Sequence, residues 1–155
     1  MLAGTNRSTG CSDLELDPQN PDAVLAAMWD FRREGWTFRS GGANDSAFSG
    51  SGLFRSSDGG AHWREYTAAA NKGFPTKPFG RIGIAIAPSD PKIVYAVIEG
   101  TRSALFRSSD GGATWEERDR SQMMVWRPFY FANLVVDPTN PERVFKMNLG
   151  LIVSE

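Results

Sequence analysis

Leu53-Phe54-Arg55-Ser56-Ser57-Asp58-Gly59-Gly60-Ala61-His62-Trp63 decides the fold of this chain, because nearly the same stretch returns as Leu105-Phe106-Arg107-Ser108-Ser109-Asp110-Gly111-Gly112-Ala113-Thr114-Trp115. Leu-Phe-Arg-Ser alternates apolar and polar residues as a half-buried strand does, and Ser-Asp-Gly-Gly supplies a turn. The aspartate can accept hydrogen bonds from backbone N–H groups a few residues on, and the glycines take the positive φ that the turn requires. The indole then covers the turn. Each copy therefore predicts a β-hairpin.

The conspicuous residues of both copies are interpreted as structural rather than catalytic. They are Ser56, Asp58, Gly60, Trp63, Ser108, Asp110, Gly112, Thr114 and Trp115. His62 is the only histidine and stands where the second copy has Thr114, so we interpret it as a strand residue. This argues against a Ser-His-Asp hydrolase within the chain. Cys11 is the only cysteine, which excludes an intrachain disulfide and a cysteine cluster for zinc. We predict no metal and no cofactor.

A second repeated phrase joins two further strands. It reads Asp17-Pro18-Gln19-Asn20-Pro21, then Ala87-Pro88-Ser89-Asp90-Pro91, then Asp137-Pro138-Thr139-Asn140-Pro141, each time between apolar runs. Two prolines forbid a central strand but suit a tight connection. The combined unit has four antiparallel strands. Strand A is predicted at about 13–17, 81–87 and 132–136, strand B at about 23–30, 92–99 and 143–148, strand C in Leu-Phe-Arg-Ser, and strand D at about 62–66 and 114–118.

The repeated turn resembles the Asp-box, or bacterial neuraminidase repeat, of sialidases, xyloglucanase-type glycosidases and sortilin-type receptors. The resemblance implies an all-β chain: a β-propeller fragment of four-stranded antiparallel blades, with about two full blades plus three strands of another. Asp58 and Asp110 are 52 residues apart, against roughly 40–50 for propeller repeats, and loops explain the excess. The same box occurs in enzymes and receptors, so the resemblance leaves the function open.

Two further phrases narrow the resemblance. Residues 27–33 with 35–42, and Phe79-Gly80-Arg81-Ile82-Gly83-Ile84, resemble bacterial proteins with a sortilin-type propeller domain, which are often labelled glycosyl hydrolases. The resemblance implies a secreted or periplasmic protein, although residues 1–7 hold no signal peptide. The formal net charge of −1 argues against a nucleic-acid partner. The sequence has no run of eighteen apolar residues, so no membrane span is predicted.

The predicted organisation is a lead-in at 1–12, a blade at 13–66 with a long B–C loop at 31–51, a connection at 67–80, a second blade at 81–118, a connection at 119–131 and an incomplete third blade at 132–155. Residues 151–155 correspond to 53–57, so the chain stops within its third turn motif. Because a ring usually needs four to eight blades, we expect the remaining blades of the same protein, or neighbouring chains, to complete it.

Strand parity separates a structural end from a functional end. In an antiparallel blade the A–B and C–D turns lie at one end, and the B–C and D–A connections lie at the other. Long loops on a rigid scaffold are where binding usually resides. These loops combine guanidinium groups with flat rings, which suits carboxylates, sulfates, pyranose faces or an acidic or aromatic peptide. The candidate ligand-binding residues are Arg32, Arg33, Trp36, Arg39, Trp126, Arg127 and Tyr130. The competing interpretation is that the aromatics fill space between blades.

Three functions follow. The first choice is a non-catalytic binding module that presents this Arg/aromatic face to a glycan or a peptide. The alternative is part of a sialidase- or xyloglucanase-like glycoside hydrolase whose catalytic residues lie largely outside the segment, since no pair of loop acids among Asp30, Glu34, Asp45, Glu99 and Asp119 stands out by its spacing. The third is an architectural spacer. Catalytic residues are not assigned.

Overall fold

Strands make up nearly all of the regular structure. The computed structural model describes residues 6–34, 37–40 and 49–154, with the backbone alone at residues 33, 34 and 37–40. The elements in these ranges are β1 (Thr9–Asp17), β2 (Asn20–Glu34), β3 (Thr37–Ser40), β4 (Gly52–Ser56), β5 (Arg64–Glu65), β6 (Phe79–Ile86), β7 (Val94–Gly100), β8 (Ala104–Ser108), β9 (Glu116–Asp119), α1 (Gln122–Val125), β10 (Leu134–Val136), β11 (Val144–Met147) and β12 (Leu151–Ser154). The all-β prediction is confirmed.

The strands form three antiparallel sheets that follow one another along the chain. The first has the order β1-β2-β4-β5, with β3 paired to the far end of β2; the second is β6-β7-β8-β9; the third is β10-β11-β12. Each sheet is a meander of consecutive strands, as in a propeller blade. The structure is thus a partial propeller, as predicted from the repeats.

The two repeated turns lie at the same end of each sheet. We call residues 56–63 and 108–115 the box turns. The backbone N–H of Gly59 donates to the carbonyl of Asp22 at 3.0 Å, and that of Gly111 donates to the carbonyl of Lys92 at 2.8 Å. Asp22 and Lys92 both follow the second proline of the A–B turn. This end is the box end, and the opposite end, with the β2–β3 hairpin and residues 119–133, is the loop end.

Apolar side chains fill the seams between neighbouring sheets. The first seam is centred on aromatic rings: Trp115 lies 5.8 Å from Tyr66 and 5.6 Å from Phe74, and Phe74 lies 5.8 Å from Phe79, measured between ring centroids. Rings at these separations add to the hydrophobic gain of burying them. The second seam packs these buried side chains: Ala85, Ala87, Ile93, Tyr95, Val97, Leu105, Met124, Ala132, Leu134, Val136 and Val144.

The first strands of successive sheets approach one another closely. The backbone N–H of Ile84 in β6 donates to Asp13 Oδ2 in β1 at 2.9 Å, so a carboxylate satisfies an edge-strand amide. A Cβ added to Gly83 would lie 1.6 Å from the carbonyl oxygen of Ala132. These strands therefore take the inner position of the array, and Gly83 is required where the second and third sheets meet.

Exposed apolar side chains mark the outer faces of the first and third sheets. Leu14 and Leu16 are exposed on β1, as are Val135, Met147, Leu149, Leu151 and Val153 in and beside the third sheet. Counted from the shared prolines, Val135 corresponds to Ala85, and Leu151 corresponds to Leu105 by strand register. Both of those equivalents are buried at the second seam. The outer face of the third sheet is thus of the kind that a neighbouring sheet covers.

The structure differs from the sequence expectations in two connections. Strand β2 continues to Glu34 and pairs with β3, so part of the expected 31–51 loop is a hairpin. Residues 67–73 do not extend from the loop end but run beside the second box turn, where Lys72 O accepts from Trp115 N at 2.8 Å. This path is possible because β5 is only 2 residues long and because Gly73, which has no Cβ, packs directly against the Trp115 carbonyl. The predicted domain boundaries stay predictions.

None of the helices within the described ranges has the length and apolarity needed to cross a membrane.

Candidate functional site

The box turns are closed by hydrogen bonds within themselves. In the second, Asp110 accepts from Thr114 N at 2.8 Å, from Thr114 Oγ1 at 2.6 Å and from Ser108 Oγ at 2.8 Å. Ser108 Oγ accepts from Gly112 N at 2.8 Å, and the Trp115 indole donates to Gly112 O at 3.0 Å. Gly111 and Gly112 have φ values of 71° and 92°. The carboxylate accepts the hydrogen bonds that hold the turn, and its purely structural role stays a prediction.

The first box turn repeats this arrangement with a histidine. Asp58 accepts from the His62 backbone at 2.9 Å and from Ser56 Oγ at 2.8 Å, and its second oxygen lies 2.7 Å from His62 Nδ1. The hydrogen bonds from the His62 backbone and ring, followed by that from Ser56, hold the pKa of the Asp58 carboxyl well below its usual range. His62 therefore takes the place of Thr114 as a partner of the aspartate.

Three of the candidate ligand-binding residues lie on the β2–β3 hairpin. Arg32 pairs with Arg39 in the register of this hairpin, and Arg33 pairs with Phe38. The side chain of Arg32 is exposed, whereas the description of Arg33 and Arg39 is limited to their backbone. Trp36 lies outside the described residues. The hairpin thus places three arginines on one projection at the loop end.

The other three candidates lie in the connection from β9 to β10. Ser121 caps α1 by accepting a hydrogen bond from Met124 N, and Trp126 ends the helix. Arg127 has φ 48°, an uncommon conformation for a residue with a Cβ, and its carbonyl accepts from Tyr130 N at 2.9 Å. Its guanidinium carbon lies 5.9 Å from the ring centroid of Phe129 and 5.6 Å from that of Tyr130. Trp126 and Tyr130 are 41% and 48% exposed.

Arg81 joins this connection to the first sheet. Its Nη1 donates to the carbonyls of Phe129 at 3.2 Å and Tyr130 at 3.1 Å, and its guanidinium carbon lies 5.5 Å from the Trp29 ring centroid. Trp29 in turn lies 4.5 Å from Phe31. The loop end therefore carries rings and guanidinium groups in a row that crosses from the first sheet to the second, with Arg81 joined to the 129–130 segment through backbone carbonyls. We call Trp29, Phe31, Arg81, Arg127 and Tyr130 the loop-end row.

A groove of about 390 Å³ lies along the first part of this row. It is lined by Ser8, Gly10, Cys11, Ser12, Trp29, Phe31 and Arg81. The floor is aromatic, hydroxyl groups stand on the side of β1, and one guanidinium closes the end. Flat rings with a small number of polar groups are the composition expected of a saccharide-sized binding site.

The sequence indicated only part of this row. Arg127 and Tyr130 were predicted and are in contact, but among the described side chains no contact joins Arg32 to either of them. Arg81 and Trp29 were missed as site residues. Arg81 is the single charged residue in the apolar strand 79–86, and that isolation was the available signal.

Two loop-end acids have defined structural partners. Asp30 is 1% exposed and accepts from Asn6 Nδ2 at 2.6 Å, and Gly50 N donates to it at 3.4 Å. Glu99 Oε2 accepts from the backbone N–H of Arg81 at 2.8 Å. Both carboxylates hold backbone or side-chain groups at the loop end. Within the described part of the chain, no group of three or more His, Cys, Asp or Glu residues is arranged to hold a metal ion.

Comparison with known proteins supports the partial-propeller fold. No protein-family model matches the chain. A xyloglucanase from Paenibacillus sp is 36% identical in a region that covers 44% of this chain and 8% of that protein. The GH74 xyloglucanase from Xanthomonas campestris superposes with a TM-score of 0.64 at 18% identity, covering 97% of this chain and 21% of that one.

Two further solved structures are similar. YCF48 bound to D1 peptide has a TM-score of 0.58 at 12% identity and covers 97% of this chain and 38% of that one. An ancestral GH74 enzyme has a TM-score of 0.53 at 16% identity, with 94% and 20% covered. At these identities the structures show the propeller fold alone. The chain spans less than two fifths of the length of each of these proteins.

Proposed function

We propose that this chain is a non-catalytic propeller segment that binds a glycan along the loop-end row. The observation that carries the proposal is the alternation of rings and guanidinium groups from Phe31 and Trp29 through Arg81 to Tyr130 and Arg127. A pyranose ring stacks its C–H face on an aromatic side chain, and arginine donates paired hydrogen bonds to hydroxyl or carboxylate oxygens. Glycan binding thus uses both parts of the row.

Arg81 and Arg127 have different parts in this proposal. Arg81 is partly buried, and its guanidinium already donates to two carbonyls, so it positions the 129–130 backbone and forms the end of the groove. Arg127 is exposed and stacks beside two rings, which leaves its guanidinium directed outward for a ligand. The positive φ of Arg127 costs about 1–2 kcal/mol. Functional sites are where such backbone strain tends to occur.

The xyloglucanase names of the similar proteins favour xyloglucan as the first probe. We propose that xyloglucan oligosaccharides bind wild-type protein and that Tyr130→Ala and Arg127→Ala each weaken binding about tenfold or more, since each removes one part of the row. Lys92→Ala is the matched control, because it removes an exposed positive charge at the box end. Isothermal titration calorimetry measures the affinity of each of the three variants and of wild-type protein for the oligosaccharides. Equal losses in Arg127→Ala and Lys92→Ala would refute the proposal.

Glycoside hydrolysis is the second candidate, favoured by the xyloglucanase names of the relatives. In that case this segment supplies a wall of the substrate cleft and the catalytic residues lie largely elsewhere. Release of reducing ends from xyloglucan that disappears on replacing a loop-end acid, such as Glu99→Gln, would replace the binding-only proposal. Binding without any release of reducing ends supports it.

Peptide binding is the remaining outcome of the same site, because the YCF48 structure holds a peptide. An acidic, tyrosine-containing peptide that competes with the oligosaccharide for wild-type protein but not for Tyr130→Ala would reassign the row to a peptide partner. Secretion or periplasmic export stays a proposal in keeping with the bacterial xyloglucanases among the relatives.

A further inference from the structure

A second cavity lies at the opposite end of the first seam, away from the loop-end row. It has a volume of about 350 Å³ and lies between strand β5 and the second box turn. Its lining includes Arg55, Ser57, Arg64, Tyr66, Asn71 and Gly112. We call these residues the seam notch. A cavity of this volume is at the lower limit for small-molecule sites and is about the size of one sugar residue.

The polar groups of the notch are held in place by the fold. Arg55 Nη1 donates to Gly111 O at 2.7 Å, and Tyr66 Oη lies 3.4 Å from the same carbonyl. Asn71 is buried, donates to Gly112 O at 3.1 Å and accepts from Thr67 N at 3.2 Å. Tyr66 is 5% exposed and packs against Trp115. Because these side chains are already ordered, a ligand would lose little free energy in organising them.

The notch carries two guanidinium groups, and neither forms an ion pair with an acid of the described residues. Arg64 is exposed, and no hydrogen bond or ion pair joins it to another side chain of the described residues. Glu65 also lines the cavity, but its carboxylate lies 2.6 Å from Lys77 Nζ. Asp110 is close enough to Tyr66 to contribute negative charge, and its oxygens accept hydrogen bonds from Thr114 rather than from either arginine. Two guanidinium groups thus face a cavity whose nearest acids already have partners.

The second seam shows how the same arginine is neutralised elsewhere. Arg107 occupies the position of Arg55 in the repeat, and there it pairs with Glu142 and donates through Nε to Tyr95 Oη at 3.3 Å. Counted from the shared prolines, Lys92 corresponds to Glu142, and Leu25 corresponds to Tyr95. The first seam therefore keeps the arginine but has lost both of its partners.

We propose that the seam notch binds a small oxyanion-bearing ligand, a carboxylate or a sulfate on a molecule about the size of one sugar residue. Arg55 and Arg64 bind the oxyanion, because guanidinium groups match the geometry of carboxylate and sulfate oxygens. The hydroxyls of Ser57 and Tyr66 line the same cavity and can bond to ligand hydroxyls, while the buried Asn71 amide holds the Gly112 carbonyl in place. The anion gives Arg55 the negative charge that Glu142 gives Arg107 at the second seam.

The test compares galacturonate with galactose, which differ in the carboxylate at C6, and adds inorganic sulfate as a competitor. By isothermal titration at low salt, wild-type protein is expected to bind galacturonate about tenfold tighter than galactose. Sulfate is expected to displace galacturonate, and added salt to weaken binding. Tighter binding of sulfate than of galacturonate would identify a sulfate ligand. Equal binding of the two sugars would overturn the proposal.

Substitutions of charged residues test whether the ligand binds in the seam notch. Arg64→Gln is expected to weaken galacturonate binding about five- to tenfold, whereas Arg118→Gln, an exposed arginine paired with Glu116, is expected to leave it unchanged. Lys92→Glu supplies the carboxylate that the second seam already has, so it is expected to weaken binding by a similar factor. Equal effects of Arg64→Gln and Arg118→Gln, or unchanged binding in Lys92→Glu, would overturn the proposal. Tyr130→Ala, at the loop end, keeps this affinity and separates the two sites.

Discussion

Replacing Gly112 by alanine tests how the box turn is joined to the neighbouring sheet. Gly112 has φ 92°, and a Cβ built on it would lie 2.3 Å from Tyr66 Oη and 2.8 Å from Tyr66 Cζ. Tyr66 is 5% exposed and packs between Phe74 and Trp115. A Cβ cannot lie this close to the ring, so Gly112→Ala must either displace Tyr66 towards the seam notch or open the first seam.

Gly60→Ala is a control for the backbone strain. Gly60 occupies the same position in the first box turn with φ 93°, and the nearest atom to its added Cβ is Trp63 Cζ2 at 3.4 Å, an ordinary contact. Both variants place a Cβ at positive φ, which costs about 1–3 kcal/mol. Gly112→Ala adds a steric overlap with the buried Tyr66 ring, which costs about 1–3 kcal/mol more. The difference between the variants isolates the contact with Tyr66.

Urea unfolding followed by tryptophan fluorescence measures this difference. Gly112→Ala is expected to unfold at a lower urea concentration than Gly60→Ala, and to melt about 2–12 °C lower for a chain of this size. Tyr66→Phe removes the closest atom, so adding it to Gly112→Ala should cost less than the sum of the two single changes. Equal destabilisation by the two glycine variants, or strict additivity with Tyr66→Phe, would refute the contact.

Three further changes test charged and polar groups at the seams. Burial and the neighbouring Asp13 raise the pKa of Glu15 to about 7, so the free energy of unfolding should fall as pH rises from 4.5 to 7. Because the carboxyl is partly exposed to solvent, Glu15→Gln should remove about 1–2 kcal/mol of this loss, and equal urea midpoints of the two proteins at pH 8 would contradict it. Although burial raises the pKa of Asp110, hydrogen bonds from Thr114 and Ser108 hold it below its usual value. Asp110→Ala should therefore lower the free energy of unfolding by about 1–3 kcal/mol at pH 7, and this loss should become smaller below about pH 4, where the wild-type carboxyl begins to be protonated. Tyr95→Phe removes the 3.0 Å bond to Pro141 O and should cost about 1 kcal/mol in thermal unfolding, whereas no change in Tm would show that the bond contributes nothing.

The sequence predicted the turns because their chemistry is local. Positive φ at Gly59, Gly60, Gly111 and Gly112 and the aspartate acceptor all lie within one short motif. The proline phrase is equally local, and the antiparallel order of a meander follows from short connections. The fold and the common end of both repeated turns could therefore be deduced from residues a few positions apart.

The course of residues 67–73 and the composition of the loop-end row depend on contacts that no local pattern encodes. Lys72 pairs with Thr114 across sheets, and Asn71 is buried against Gly112 O. Arg81 reaches carbonyls 48 and 49 residues away. Such contacts follow from how two sheets pack, and a single sequence shows only that an arginine interrupts an apolar strand.

Positions where the repeats differ change the surroundings of an arginine at both proposed sites. Arg107 and Arg55 are equivalent, but Glu142 has given way to Lys92 at the first seam, and a charge is left facing a cavity. Trp29 and Glu99 are likewise equivalent by count from the shared prolines, and both contact Arg81, one through its ring and the other through its carboxylate. Residues that the repeats share close turns and seams, so substitutions there reduce stability first. Residues at which the repeats differ are not held by this shared packing. Substitutions at these positions should therefore change the affinity for a ligand while changing the unfolding midpoint little.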